Sequence, residues 1–284
     1  MTDRHFTLDI RDREYPRCLL DLARPPARIY GVGDATLLRP ALGIIGSRKA
    51  TPYGLSCARR FAAWAAGQGI TVVSGGAIGC DQAAQRAAVD AGGRTVAVMG
   101  CGADVDYPRG AAQLFRTLRA EHLVVSGFDW GTPPKRENFP QRNHIIAALS
   151  QALLVVEASL PSGTFITAEA AGEIDRAVFA VPGSIYAPEC RGTNRLISQG
   201  VQPITDVSDL ALALDMLHMS GHDDPLSRPA PDDPLGRALV ANPMRPDDAA
   251  RELDMDIVSV MRAIARLEGR GIVTRYPDGR YGPG

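Results

Sequence analysis

From about residue 40 onward, short apolar runs alternate with amphipathic stretches. ALGIIG (41–46), ITVVSG (70–75), RTVAVMG (94–100), HLVVSGF (122–128), ALLVVEA (152–158) and AVFAVPG (177–183) are rich in Val, Ile or Ala, and most end at Gly. Runs of this kind are typical of parallel strands covered on both faces. Between them, residues 53–69, 80–93, 139–151 and 164–174 carry helical spacing, with glycine stops after the first two. Strand and helix alternating this often predicts a Rossmann-like, doubly wound, mostly parallel α/β sheet. Residues 1–40 are less regular, broken at Pro25-Pro26, and are expected to pack on the sheet edge as a lead-in.

The pattern changes near residue 219. MSGHDDPLSRPAPDDP (219–234) is polar, acidic and proline-rich, and reads as a linker. It separates a large domain (1–218) from a small one (235–284). In the latter, LGRALVANP, PDDAARELDM and DIVSVMRAIARLEGRG predict three short helices. GIVTRYPDGRYG predicts a hairpin turning at Pro277-Asp278-Gly279. Three helices and a hairpin follow the winged-helix plan.

Composition narrows the function classes. The 284 residues contain no apolar run of eighteen, and the N-terminus lacks a signal-peptide core, so neither membrane spanning nor secretion is expected. Five well-separated cysteines (18, 57, 80, 101, 190) without a CxxC pair favour a reducing cytosol over a disulfide framework or a structural zinc. The formal net charge of −1 hides a local asymmetry. No acidic residue occurs between Asp34 and Asp81, whereas Arg39, Arg48, Lys49, Arg59 and Arg60 all do. A cationic block within a neutral chain points to a polyanion partner. Only Lys49 and Lys135 are lysines among 31 basic residues, a bias that a GC-rich genome would produce.

Four segments carry candidate chemistry. GIIGSRKATPYG (43–54) joins a strand to a helix, where Ser47 and the free N–H groups of a helix start favour an anion. Arg48 and Lys49 add full charges suited to phosphate, although a generic turn with a solvated Arg-Lys pair would look the same. The segment is neither a GxGxxG fingerprint nor a P-loop. VVSGGAIGCD (72–81) is a second glycine-rich turn, in which Gly75 and Gly76 would admit a close backbone. GTPPKRENFPQRNHII (131–146) sets Lys135, Arg136, Arg142 and Asn143 around Phe139, a stacking platform beside phosphate ligands or else a core ring. Ser162, Gly163 and Thr164 open another helix, and Arg109 follows a strand end on the same expected rim. No GxSxG, HExxH or metal-ligand spacing occurs, and no cofactor is expected. Glu157 and Glu169 are carboxylates without evident partner residues.

Taken together, GSRKATPYG, SGGAIGCDQAAQRAA, GRTVAVMGCGADVDYP, FPQRNHIIAALS, VVEASLPSGTFITA, VFAVPGSI and GTNRLISQG occur in an order that resembles the DNA-processing protein A family, also called Smf. The resemblance runs from about Tyr15 to the C-terminus, where the small domain looks like the winged helix many members carry. It implies a non-enzymatic protein that binds single-stranded DNA without sequence preference. In naturally transformable bacteria such a protein passes the strand to the RecA recombinase, and it works as a homodimer in the cytoplasm. It further implies that Arg48, Arg109, Arg136 and Arg142 contact DNA, with Phe139 on a base and Asn143 hydrogen-bonding.

The chain departs from the family pattern at Ile78, Cys80 and Gln85, where Arg, Ile and His are usual. His144 stands in place of a cation, and Gly127 in place of a glutamate. Two other readings compete. PSGTFITAE is similar to the PGGxGTxxE of phosphoribohydrolases of the lysine-decarboxylase-like type, but lacks one glycine and displaces Glu169. A nucleotide-sensing regulator could instead read duplex DNA with its winged helix. There, Arg262 and Arg266 are the evident cations, and Asp254 and Asp256 would repel phosphate.

Overall fold

The six apolar runs form the middle of a nine-stranded sheet in the computed structural model, which describes residues 5–219, 234–269, 272–276 and 278–283. The strands are β1 (His5–Asp9), β2 (Arg28–Gly33), β3 (Ala41–Gly46), β4 (Val72–Ser74), β5 (Thr95–Met99), β6 (Leu123–Ser126), β7 (Ser150–Glu157), β8 (Ala177–Ala180) and β9 (Gln202–Pro203). Their order across the sheet is β1-β2-β6-β5-β4-β3-β7-β8-β9. From β6 to β9 every neighbour is parallel, as the buried Val- and Ile-rich runs predict.

The lead-in does more than cover the edge. It adds β1 and β2 to the sheet, both antiparallel, with Tyr30 opposite Ser126. The Tyr15 hydroxyl donates to the Pro26 carbonyl at 2.6 Å and pins the connection between them.

Among the described residues, seven α-helices accompany the sheet: α1 (Pro52–Gly67), α2 (Cys80–Asp90), α3 (Ala112–Glu121), α4 (Asn138–Leu149), α5 (Thr164–Glu173), α6 (Arg191–Ser198) and α7 (Val207–Met216). Side chains alternate across a strand, so one run feeds two cores. Leu42 and Ile44 pack with α1, α2 and α7, whereas Ile45 packs with α4 and α5 on the opposite face. Ala97 and Met99 of β5 meet Leu114, Phe115 and Leu118 of α3. Helix α1 starts at Thr51, whose hydroxyl accepts from the Gly54 N–H, with Pro52 in the first turn.

The winding places the site. From β3 the chain steps outward through β4, β5 and β6, then returns to β7 on the other side of β3. The carboxyl ends of β3 and β7 are therefore the topological switch point, where connections diverge to opposite faces and leave a crevice. Gly46 pairs with Glu157 at that edge.

The chain divides into two units, Met1–Gly221 and His222–Gly284. Of the expected linker, residues 220–233 lie outside the described residues, as does Pro277 of the expected turn. The second unit contains α8 (Pro234–Ala241), α9 (Pro246–Glu252), α10 (Ile257–Gly269), β10 (Val273–Arg275) and β11 (Tyr281–Pro283). Its core gathers Leu239, Val260, Ile264 and Leu267, and Thr274 pairs antiparallel with Gly282. Among the described residues, no helix is long and apolar enough to cross a membrane.

Candidate nucleic-acid interface

A cleft of about 500 Å³ opens at the switch point, within the usual size range of ligand sites. Ser47, Arg48 and Lys49 line it from the turn after β3; Ser162, Gly163 and Thr164 line it from the turn after β7. Arg136, Phe139, Arg142 and Asn143 line it from α4 and the chain before it. Ten of the residues singled out in the sequence thus share one cavity, although they come from segments more than a hundred positions apart.

Hydrogen bonds inside the turns fix these walls. The Lys49 N–H donates to the Ser47 hydroxyl at 3.1 Å, and the Cys80 N–H to the Ser47 carbonyl at 3.2 Å. The Thr164 N–H donates to the Ser162 hydroxyl at 3.2 Å. The Asn143 amide reaches the Gly163 carbonyl at 3.4 Å, which ties α4 to the β7 turn.

Phe139 lies half-buried between two cations. The guanidinium carbon of Arg48 is 5.1 Å from its ring centroid and that of Arg142 is 5.9 Å away, both within cation–π range. Tyr107 lies beside it with ring centroids 5.7 Å apart. The phenyl ring rests on Gly100, where a β-carbon would come within 2.8 Å of it. Phe139 is therefore neither a core ring nor a free one; its seat is built by Gly100 and Tyr107 in the loop after β5.

Arg142, expected to contact phosphate, lines the cleft from a buried position. Its side chain is buried, 3% exposed, one helical turn below Phe139. Nη1 donates to the Val98 carbonyl at 3.3 Å and lies 4.0 Å from the Asp81 carboxylate. Asp81 in turn accepts from the Gly75 N–H at 3.1 Å and the Ala77 N–H at 3.4 Å. Burial pushes the Asp81 carboxyl up from its ordinary range, against the pull of Arg142 and these backbone donors. Burial likewise pushes the Arg142 guanidinium down, and Asp81 opposes it. Arg142 is thus a brace that joins α4, β5 and the turn after β4.

The glycine turn is also open for a different reason from the one expected. A β-carbon at Gly75 would fall 1.4 Å from Arg142 Nη1, and one at Gly76 would fall 2.7 Å from the Phe115 ring. Side chains, not another backbone, occupy the space these glycines leave. Both line a smaller hollow of about 140 Å³ that adjoins the cleft through Arg48, Phe139 and Arg142.

Two expected rim residues stand apart. Arg109 and Lys135 are exposed and do not line the cleft. Tyr107 and Asp81 do line it, although in the sequence Tyr107 carries no signal of its own beside Arg109 and Asp81 reads as a helix-start acid. Of the departures, Ile78 is exposed, Cys80 is buried and Gln85 is buried with its amide donating to the Val96 carbonyl at 3.1 Å. Glu157 is buried and accepts from the Thr51 N–H at 3.0 Å and from the Thr51 hydroxyl, so it anchors the start of α1. Glu169 is exposed on α5 and does not line the cleft.

Comparison with known proteins gives a consistent neighbourhood. Residues 6–215 match the family described as DNA recombination-mediator protein A. Protein Smf of Synechocystis is 39% identical over 208 residues, covering 72% of this chain and 52% of its own length. The chain thus spans about half of that relative. The crystal structure of DNA processing protein A from Streptococcus pneumoniae superposes with a TM-score of 0.70 at 35% identity, covering 74% of each chain. The structure of DNA processing protein A from Helicobacter pylori, solved for its single-stranded DNA binding mode, gives 0.69 at 29% identity. It covers 76% of this chain and 97% of the other.

Proposed function

The chain belongs to the DNA recombination-mediator protein A family, and on that premise we propose that the cleft at the β3–β7 switch point binds single-stranded DNA without reading its sequence. The observation that carries this reading is the seat of Phe139: a half-exposed ring between two guanidinium groups, facing a cleft with exposed Arg48, Lys49 and Arg136 on its walls. A ring offers its face to any base, and guanidinium forks and helix-start N–H groups grip phosphate, so neither element distinguishes sequence. A duplex hides its base faces in the stack and leaves Phe139 nothing to meet. The H. pylori relative's single-stranded DNA binding supports the same ligand.

The same proposal extends to the reaction the strand enters. The family's description as recombination mediator supports a role in recombination, and we extend the proposal to delivery of the strand to the RecA recombinase in natural transformation, in the cytoplasm and without bond-breaking chemistry of its own. Leu212 and Met216 stand exposed on α7 and supply an apolar surface for a homodimer. We read the second unit, three helices and a hairpin, as the winged helix, joined to the first by a linker over 219–234.

Titrating poly-dT and duplex DNA across salt tests the ligand. Three exposed cations at about −0.7 each give a log–log salt slope of about −2 for the single strand. Equal affinity for the duplex would overturn the assignment.

A further inference from the structure

A second, larger cleft of about 720 Å³ lies on the other side of α4. Its walls come from the lead-in, from Gly127 and Phe128 after β6, and from α4 and α5. Helix α4 divides the two cavities: Phe139, Arg142 and Asn143 line the first, and Gln141, His144 and Ile145 line the second. Two of the positions that depart from the family pattern, Gly127 and His144, line this second cleft. A β-carbon on Gly127 would come within 2.8 Å of Ile145 Cδ1 and 3.4 Å of Pro26 Cβ, so the glycine keeps those walls apart.

We propose that this second cleft is a nucleobase site, an inference that rests on the single-strand reading of the first cleft. Its chemistry suits a base better than a phosphate. Phe128 and Pro26 supply half-buried flat apolar surface. The His144 Nδ1 lies 2.8 Å from the Pro140 carbonyl, which can only accept, so Nδ1 carries the proton and a neutral ring keeps Nε2 as an acceptor. Gln141 offers both a donor and an acceptor. Of the charged groups in the lining, Asp21 is taken by Arg176 at 2.5 Å, which leaves Arg24 and Glu173, one of each sign. A phosphate would meet Glu173 and gain little. A base with an exocyclic amine would find acceptors in Glu173 and His144 and a ring in Phe128.

Placement supplies the route. A helix with its side chains is about 10–12 Å across, and single-strand sites commonly extend over about 4–16 nucleotides. A strand stacked on Phe139 that crosses the start of α4 brings a neighbouring base to the second cleft.

The test compares the full-length wild type with Phe128→Ala, with Gln141→Trp and with Phe139→Ala. Gln141 is exposed, so the tryptophan caps the cleft without entering the core. The probes are labelled oligo-dC of about 4 and about 12 nucleotides, spanning the usual range, together with dCMP alone. For a base of the bound strand, Phe128→Ala and Gln141→Trp weaken the long oligonucleotide about tenfold and leave the short one unchanged. For a free nucleotide, dCMP binds the wild type and Phe139→Ala, binds both second-cleft variants about tenfold more weakly, and oligonucleotide affinity of those variants stays as it was. Either result supports a nucleobase site. Wild-type binding of every probe by both second-cleft variants overturns it, while weakened binding of both oligonucleotides by Phe139→Ala still upholds the first cleft. Absence of oligonucleotide binding by the wild type would instead overturn the single-strand reading itself.

Discussion

The guanidinium of Arg142 lies 4.0 Å from the carboxylate of Asp81, with both side chains more than nine-tenths buried beneath the floor of the first cleft. Removing one partner strands the other charge in a low-dielectric interior. Asp81→Ala is expected to destabilise the large unit by about 3–5 kcal/mol. Denaturant unfolding should show a lower midpoint with an unchanged slope. The pair also sets the shape of the floor, so Arg142→Met alone should lower stability, and the double variant should be milder than the sum of the single ones.

Gly75 tests the same brace by sterics. A β-carbon 1.4 Å from Arg142 Nη1 cannot coexist with the guanidinium as placed. Gly75→Ala should therefore displace Arg142 and cost about 1–3 kcal/mol from overpacking alone. Calorimetry of the variant would read the loss as an earlier unfolding transition.

Arg48 is exposed and stands over Phe139. Arg48→Ala should weaken single-strand binding by about 1–3 kcal/mol, with folding stability unchanged. The loss should be equal on poly-dT and on mixed sequence, and the magnitude of the salt slope should fall by about 0.7. A loss confined to one sequence would contradict a phosphate contact.

Phe139→Ala should lower affinity by about 1–3 kcal/mol and leave the salt slope as it was, because the ring carries no charge. Half-buried, it should lower stability by less than the roughly 3–5 kcal/mol of a fully enclosed ring. Phe139→Trp keeps a stacking face and should recover most of the affinity. Failure of that recovery, together with a large fall in melting temperature, would assign the ring to packing alone.

Asp9 gives a pH signature at the far edge of the sheet. Its hydrogen bond from Arg11, helped by Arg28, holds its carboxyl down at about 2 against an ordinary 3.8. A carboxyl depressed on folding contributes stability above pH 3.8 and loses it as the pH falls through about 2. The Asp9 carboxyl resonance should titrate near pH 2. Asp9→Asn should remove that step from the acid unfolding curve and leave the rest in place.

The hydrophobic pattern by itself determined the strands that are buried on both faces and the helices between them, because a run such as ALGIIG has no polar face to leave in water. It also determined that Ser47, Arg48, Lys49, Phe139 and Ser162 lie at strand ends or helix starts, since glycine, proline and helix-start chemistry are local signals. The antiparallel pair β1 and β2 escaped it. Edge strand HFTLD mixes exposed and half-buried positions, and RIYGVG, though buried, takes its place from pairing with β6 some ninety residues along the chain. Only the tertiary structure decided which turns converge, because the order β4-β3-β7 follows from winding and not from any one segment. It alone showed that Arg142 is buried and braced against Asp81 where it lines the cleft, gave Glu157 to the start of α1, and left Arg109 and Lys135 outside the cleft. The physical reason is the same in each case: a charged side chain is placed by the partner that offsets its desolvation, and that partner is set by the fold rather than by neighbours in sequence.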